Sequence, residues 1–127
     1  MTLTKEQQEI CDKRLEEHRH EEYYVDIKLE KDFALVNFLV MRGVFRPETT
    51  SGFYLANFLS ISKELYSGKK VLDLGCGTGI QGIVCALNGA SQVSFSDISD
   101  LAIKNTELNL KKFNLLDKNH LDCGNKF

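Results

Sequence analysis

The residues best suited to chemistry lie in one stretch, the run Val71-Leu72-Asp73-Leu74-Gly75-Cys76-Gly77-Thr78-Gly79-Ile80. An apolar segment typical of a buried strand carries an acidic residue and leads into three alternate glycines. Glycines allow the chain to turn sharply from strand to helix and let a ligand approach the bare backbone. The run predicts a nucleotide-type binding loop, although similar loops also join strands and helices that bind nothing.

The charge of Asp73 bears on which nucleotide the loop would hold. The segment from Gly77 to Gly82 matches the G-x-G-x-x-G pattern of dinucleotide sites, but a carboxylate before the first glycine would lie near the pyrophosphate anion. S-adenosylmethionine carries a cationic sulfonium and an ammonium group, for which a carboxylate is favourable. The loop therefore predicts S-adenosylmethionine, with a nicotinamide-dependent oxidoreductase as the weaker alternative. No Gly-Lys-Ser/Thr follows, which excludes a P-loop.

A second acidic residue, Asp97, closes the predicted strand Val93–Ser96 and lies 22 residues beyond Gly75 (97 minus 75). At the end of a second parallel strand, a carboxylate can accept hydrogen bonds from both ribose hydroxyls and would repel a ribose phosphate. The alternative is that Asp97 only caps the helix that begins near Ser99.

The segment from about Gly68 to Leu115 resembles class I, Rossmann-like methyltransferases that use S-adenosylmethionine. Within that class it is similar to the group of release-factor glutamine, ribosomal and protein-side-chain methyltransferases, and Arg46-Pro47-Glu48-Thr49 partly resembles an element that precedes the loop in the glutamine enzymes. The resemblance implies cofactor-binding roles for Thr49, Asp73, Gly75, Cys76, Gly77, Thr78, Gly79, Asp97 (ribose) and Ile98 (adenine), and suggests Asp122 for the adenine amino group.

The resemblance covers only the N-terminal portion of such a domain. The class orders its sheet 3-2-1-4-5-7-6, so strand Lys70 to Leu74 would lack a neighbour on one side, and no Asn-Pro-Pro-Tyr signature follows. The catalytic residues are therefore unknown, and either a missing C-terminal half or a partner subunit would complete the sheet. The implied acceptor is a protein side chain or an RNA base. A non-catalytic module that partners an active methyltransferase is the alternative.

The pattern along the chain predicts an α/β fold. The first elements are an N-terminal helix from Lys5 to about Glu22, with Thr4 and Gln7 as a capping box, and a strand Tyr24–Lys28. In the next segment, the spacing of Leu29, Phe33, Val36 and Val40 favours a helix over a strand. A helix from Thr50 to Leu65 follows, with Phe53, Tyr54, Leu55, Phe58 and Leu59 expected to face the core. Strand 70–74, helix 80–87, strand 92–96 and helix 100–113 then imply a parallel sheet with flanking helices.

We accordingly divide the chain into residues 1–45, a helical and extended appendage, and residues 46–127, the N-terminal half of a Rossmann-like domain. The 127 residues have 43% hydrophobic and 27% charged content and a net charge of −2, which gives no overall basic footprint for nucleic acid. No apolar run is long enough to span a membrane and no export segment is recognised, so a cytoplasmic location is expected. The four cysteines show no C-x-x-C spacing, and no metal site is predicted.

Overall fold

The structure is a computed structural model that describes residues 2–17, 19–118 and 120–121. The elements, in chain order, are α1 (Lys5–Glu17), β1 (Tyr23–Lys28), β2 (Ala34–Val40), α2 (Thr50–Ile61), β3 (Lys70–Leu74), α3 (Ile80–Leu87), β4 (Gln92–Ser96), α4 (Asp100–Lys112) and β5 (His120–Leu121). Short 3₁₀ turns at Lys63–Leu65 and Leu116–Lys118 follow α2 and α4. None of the helices in the described ranges has the length and apolar character that a membrane crossing requires.

A parallel sheet with α3 and α4 as its connecting helices forms the centre of the molecule, which confirms the predicted α/β fold. β4 pairs with β3 on one side and with the short β5 on the other, both in parallel register. The strand order is β3-β4-β5, so among the described residues β3 has a strand neighbour on one side only. The carboxyl ends of β3 and β4 therefore lie side by side, where parallel sheets bind ligands.

The predicted helix over residues 29–40 is wrong, because this segment forms the second strand of an antiparallel hairpin. Tyr23 pairs with Val40 and Lys28 with Ala34. Lys31 and Asp32 between the strands both have φ near +60°, the conformation of a tight hairpin turn. Apolar spacing alone does not separate a short buried strand from a helix, and here pairing with β1 selects the strand.

The hairpin shares one hydrophobic core with the parallel sheet. Leu35, Phe38 and Val40 of β2 are fully buried, as are Ile83 of α3 and Leu110 of α4. Residues 23–40 thus contribute to the packing around the sheet, while the division of the chain at residue 45 stays a prediction.

Residues 5–16 of the N-terminal helix are exposed, and its capping box is confirmed. The Thr4 N–H donates to Gln7 Oε1 at 2.9 Å, and the Gln7 N–H donates to Thr4 Oγ1 at 3.1 Å. The helix ends at Glu17 rather than near Glu22, since β1 begins at Tyr23. α2 likewise ends at Ile61, four residues before the predicted end at Leu65.

One face of α2 is exposed together with the free side of β3. Tyr54 is 70% exposed, Phe58 50% and Leu55 47%, so the prediction that these side chains face the core is wrong. Phe53 and Leu59 do pack against the core. Leu74 of β3 is 65% exposed, in keeping with the expectation that an apolar edge lacks its neighbour in this stretch of chain.

Three buried polar side chains of α4 join the hairpin to the glycine loop. Asn109 Oδ1 accepts a hydrogen bond from the Leu39 N–H at 2.9 Å, and its Nδ2 donates to the carbonyls of Leu39 and Thr78. Asn105 accepts from the Met41 N–H at 2.8 Å and donates to the Leu39 carbonyl. Side chains of α4 therefore form hydrogen bonds with the backbone at the outer edge of β2, where another strand would otherwise pair. We call Asn105, Thr106 and Asn109 the α4 polar ladder.

We predict that Asn109→Ala lowers the free energy of unfolding by about 3 kcal/mol, because the Leu39 N–H and the Thr78 carbonyl lose their hydrogen bonds to Asn109. Urea denaturation followed by circular dichroism measures this loss. The control is Glu107→Ala on the exposed face of the same helix, which should change stability by less than about 0.5 kcal/mol. Equal stability of the two variants would contradict the assigned role of the ladder.

Candidate functional site

The loop between β3 and α3 turns through three glycines with positive φ. Gly75, Gly77 and Gly79 have φ values of 73°, 55° and 87°, a region that L-residues rarely adopt. A Cβ at Gly79 would also lie 2.9 Å from Thr106 Cγ2, so both backbone conformation and space require glycine there. The N–H groups of Gly75 and Cys76 both donate to the Ser96 carbonyl, at 2.8 and 2.9 Å. The loop is thereby held against the end of β4.

Asp73 lies half-buried near the end of β3, beneath the start of α3. Its Oδ2 accepts a hydrogen bond from the Gly82 N–H at 2.9 Å. Burial raises the pKa of the Asp73 carboxyl, the Gly82 N–H opposes that shift, and the negative charge of Asp97 adds to it. A buried carboxylate with a second one nearby makes this end of the sheet favourable for a cation.

Asp97 follows β4 and contacts the glycine loop directly. Its Oδ2 accepts from the Gly77 N–H at 3.0 Å, and its Oδ1 accepts from the Ser99 N–H at 2.9 Å. Ser99, not Asp97, caps α4, since Ser99 Oγ accepts from the Ala102 N–H. A carboxylate has about four acceptor sites, so these two bonds leave Asp97 able to accept from hydroxyl groups of a ligand.

A cavity of about 540 Å³ opens between the two carboxylates, within the range typical of small-molecule sites. It brings together seven of the nine residues that the sequence singled out. The remaining walls come from the segment between β2 and α2 and from the first turns of α3 and α4. The lining residues are Gly43–Pro47, Gly52, Asp73, Gly75–Thr78, Ile80, Gln81, Asp97–Ser99 and Ala102.

Two of the residues selected from sequence lie outside the cavity wall, and a third candidate falls outside the described residues. Thr49 lines a neighbouring cavity between α1 and α2, and its Oγ1 donates to the Arg46 carbonyl at 3.2 Å. Gly79 is the N-cap residue of α3 and faces Thr106. Asp122 lies outside the described ranges.

Arg46 is the one cation among the described residues that line the cavity, and sequence analysis did not select it. Its guanidinium carbon lies 5.4 Å from the centre of the Tyr23 ring, and the Tyr23 hydroxyl donates to Glu48 at 2.8 Å. The hairpin therefore holds the segment that carries Arg46. The Arg-Pro-Glu-Thr run was the available signal, but only the fold shows that the arginine faces the cavity.

Cys76 is buried in the loop and is not suited to act as a nucleophile. Burial is the main cause that raises its pKa to about 12, so the thiol is protonated at neutral pH. Thr106 Oγ1 lies 3.3 Å from Cys76 Sγ and 2.9 Å from the Gly77 carbonyl oxygen, where its single proton serves one acceptor at a time. Thr106 therefore links α4 to the glycine loop.

Gly82, the last glycine of the G-x-G-x-x-G letters, serves helix–sheet packing. A Cβ added there would overlap the Phe95 ring and lie 2.9 Å from Val93 Cγ1. Because α3 approaches β4 this closely, the Gly82 N–H can reach the Asp73 carboxylate. The dinucleotide-like pattern is thus explained by packing.

Solved methyltransferases share this fold. A Pyrococcus abyssi tRNA (uracil-54, C5)-methyltransferase, solved in complex with S-adenosyl-L-homocysteine, matches 81% of this chain and 24% of its own at TM-score 0.59 and 23% identity. A putative RNA methyltransferase from Pyrococcus horikoshii matches 61% of this chain and 39% of its own at TM-score 0.53 and 29% identity. The fold is therefore that of the class I, Rossmann-like methyltransferases.

Sequence comparison identifies the family within this class. A profile of the ribosomal protein L11 methyltransferase (PrmA) family matches residues 50–125, and the chain belongs to that family. A ribosomal protein L11 methyltransferase of Phocaeicola vulgatus is 34% identical over 95 residues, which are 72% of this chain and 31% of that protein. A probable protein arginine N-methyltransferase 6.2 of Oryza sativa is 44% identical over 62 residues, 49% of this chain and 15% of that protein. The chain thus spans less than a third of either relative.

We predict that Asp73→Asn raises the Tm by a few degrees at pH 7. Asparagine keeps an acceptor for the Gly82 N–H and removes the cost of burying a charge that raises the Asp73 pKa. Because the folded pKa exceeds the unfolded value of 3.8, acidification stabilises the unmodified chain as the carboxyl protonates. The difference in Tm should therefore shrink toward pH 4 in a scanning calorimeter. A lower Tm for the variant at pH 7 would contradict this electrostatic account.

Proposed function

We propose that this chain is the S-adenosylmethionine-binding half of a methyltransferase that acts on a protein side chain or an RNA base. The observation that carries the proposal is the cavity between Asp73 and Asp97, with the glycine loop between them. Two carboxylates at one end of a parallel sheet favour a cationic nucleoside ligand. Membership of the family supports the same ligand.

The lining residues match the parts of S-adenosylmethionine. Asp73 would attract the sulfonium and ammonium groups, and Asp97 would accept hydrogen bonds from the ribose hydroxyls. Ile98, 76% exposed, would cover one face of the adenine. Arg46 would pair with the carboxylate of the methionine part, and Cys76 and Thr78 would line the loop. Binding roles for Thr49 and Gly79 stay predictions of the sequence.

When bound, S-adenosylmethionine would supply an electrophilic methyl group for in-line attack by a nucleophile, with S-adenosylhomocysteine leaving as the neutral thioether. The residues of this chain contribute orientation, because the loop and the two carboxylates would hold the ligand at both ends. Partial burial beneath α3 lowers the effective dielectric constant around Asp73 and strengthens its attraction for the sulfonium. Residues that align the acceptor are expected outside this chain.

The nicotinamide alternative fits the cavity less well. A pyrophosphate needs N–H donors around it, yet the Gly77 N–H is already used by Asp97 and the N–H groups of Gly75 and Cys76 are used by the Ser96 carbonyl. Two carboxylates in the wall would also repel the anion. The loop therefore favours a ligand without phosphates.

The whole protein's activity would require more than this chain. We propose that either further chain or a partner subunit pairs beside β3, where Leu72 and Leu74 are exposed, and supplies the acceptor site. The two sequence relatives named above suggest a protein acceptor, and the putative RNA methyltransferase from Pyrococcus horikoshii suggests an RNA acceptor. A non-catalytic module that partners an active enzyme stays the alternative, and the cytoplasmic location stays a prediction of the sequence.

The cofactor proposal predicts saturable calorimetric binding of S-adenosylmethionine and S-adenosylhomocysteine to this chain, with none for NAD. Asp97→Ala should weaken binding about 100-fold, because two hydrogen bonds to a charged group are lost. Asp117→Ala, an exposed substitution outside the cavity, is the control and should bind like the unmodified chain. Tighter binding of NAD than of either methionine-derived ligand would reject the proposal.

The raised pKa of Asp73 predicts a pH dependence that differs between the two methionine-derived ligands. As the pH falls through that raised value the carboxyl becomes neutral, so the attraction for the sulfonium weakens. S-adenosylhomocysteine has no sulfonium, and its affinity should fall less. Titrations stepped downward from pH 8 through the ionisation of the Asp73 carboxyl should show the ratio of the two affinities moving toward S-adenosylhomocysteine, with the trend abolished in Asp73→Asn. A constant ratio would show that Asp73 does not contact the sulfonium.

A further inference from the structure

Gln81, in the first turn of α3, lies in the cavity wall, and only one of its two amide polar atoms forms a hydrogen bond. Its Nε2 donates to the Gly52 carbonyl at 2.9 Å. A carbonyl oxygen can only accept, so this bond fixes which end of the amide carries the nitrogen. Gln81 Oε1 is buried and has no hydrogen-bond partner.

A buried acceptor without a partner is unfavourable, and such atoms in native proteins call for an explanation. The explanation offered by the structure is that the Gln81 side chain borders a ligand-sized cavity. The terminal torsion of glutamine is broad, so a rotation of the amide, which moves Oε1 and Nε2 together, can bring the oxygen toward the cavity. A ligand donor would then satisfy the oxygen.

The position of Gln81 shows which part of a ligand it would meet. Gly52, its hydrogen-bond partner, packs against Pro47, where an added Cβ would lie 3.1 Å from the Pro47 carbonyl oxygen. Gly82, the residue that follows Gln81, donates its N–H to the Asp73 carboxylate. Gln81 therefore lies at the Asp73 end of the cavity, the end that the proposed function assigns to the methionine part.

The chemistry at that end selects one group. The methionine part offers a carboxylate, which only accepts hydrogen bonds, and an ammonium, which only donates them. Only the ammonium can satisfy Gln81 Oε1. We propose that Gln81 is a specificity-determining residue whose Oε1 accepts a hydrogen bond from the α-ammonium group of the bound cofactor, an inference that rests on the proposed function.

The test compares two variants that both lose the amide donor to Gly52. Gln81→Met keeps the length of the side chain but has no oxygen, whereas Gln81→Glu keeps an oxygen acceptor. Each variant and the unmodified chain are titrated calorimetrically with three ligands. These are S-adenosylhomocysteine, its deaminated analogue that retains the carboxylate, and 5′-methylthioadenosine, which lacks the whole amino-acid part. Thermal melts confirm that every variant is folded.

We expect Gln81→Met to weaken S-adenosylhomocysteine about 10-fold or more, because a hydrogen bond to a charged group is lost. The deaminated analogue and 5′-methylthioadenosine should change less than about 2-fold. Gln81→Glu should keep the preference for the ammonium-bearing ligand, since its oxygen carries negative charge. This pattern separates recognition of the ammonium from loss of the Gly52 contact, which both variants share.

Two results would overturn the proposal. If Gln81→Met weakens all three ligands equally, or weakens none, Gln81 does not recognise the ammonium, and the proposed cofactor site still stands because S-adenosylhomocysteine binds the unmodified chain. If none of the three ligands binds the folded unmodified chain, the proposed function itself fails and the inference fails with it.

Discussion

The hydrogen bonds that the α4 polar ladder makes to the edge of β2 and to the glycine loop are the constraint on which the rest of the structure depends. Both backbone groups of Leu39 are satisfied by side chains from α4. Asn109 also reaches the Thr78 carbonyl, and Thr106 reaches the Gly77 carbonyl. One helix face thus holds the hairpin and the loop at a fixed distance, and unpaired buried amides would be the cost of any other arrangement.

This constraint also sets the chemistry of the cavity. The Gly77 peptide is held by Thr106 through its carbonyl and by Asp97 through its N–H. With the loop fixed, burial raises the pKa of Asp73, and the nearby negative charge of Asp97 adds to that rise. Arg46, on the segment between β2 and α2, adds a positive charge to the wall of the same cavity. A ligand with cationic groups, hydroxyls and one carboxylate is complementary to this distribution of charge.

The sequence alone predicts the elements whose structure is decided by local pattern. Strand 70–74 through helix 100–112 was predicted almost to the residue, because alternate glycines and β-to-helix changes in periodicity are local signals. The hairpin was missed because the pairing of β2 with β1, and the buried asparagines that replace its other neighbour, are non-local. Tyr54 and Phe58 were misassigned because periodicity identifies an apolar face without showing what covers it. Arg46 and Gln81 reach the cavity only through tertiary packing.

We propose that the cavity between the two carboxylates holds the methionine-derived nucleoside. A two-dimensional ¹⁵N NMR titration of this chain with S-adenosylhomocysteine tests it most directly, because each backbone amide reports its own surroundings. We expect saturable shifts at the amides of residues 75–79 and 97–99, with residues of α1 unaffected. Saturable shifts confined to other surfaces, with the loop amides unchanged, would contradict it.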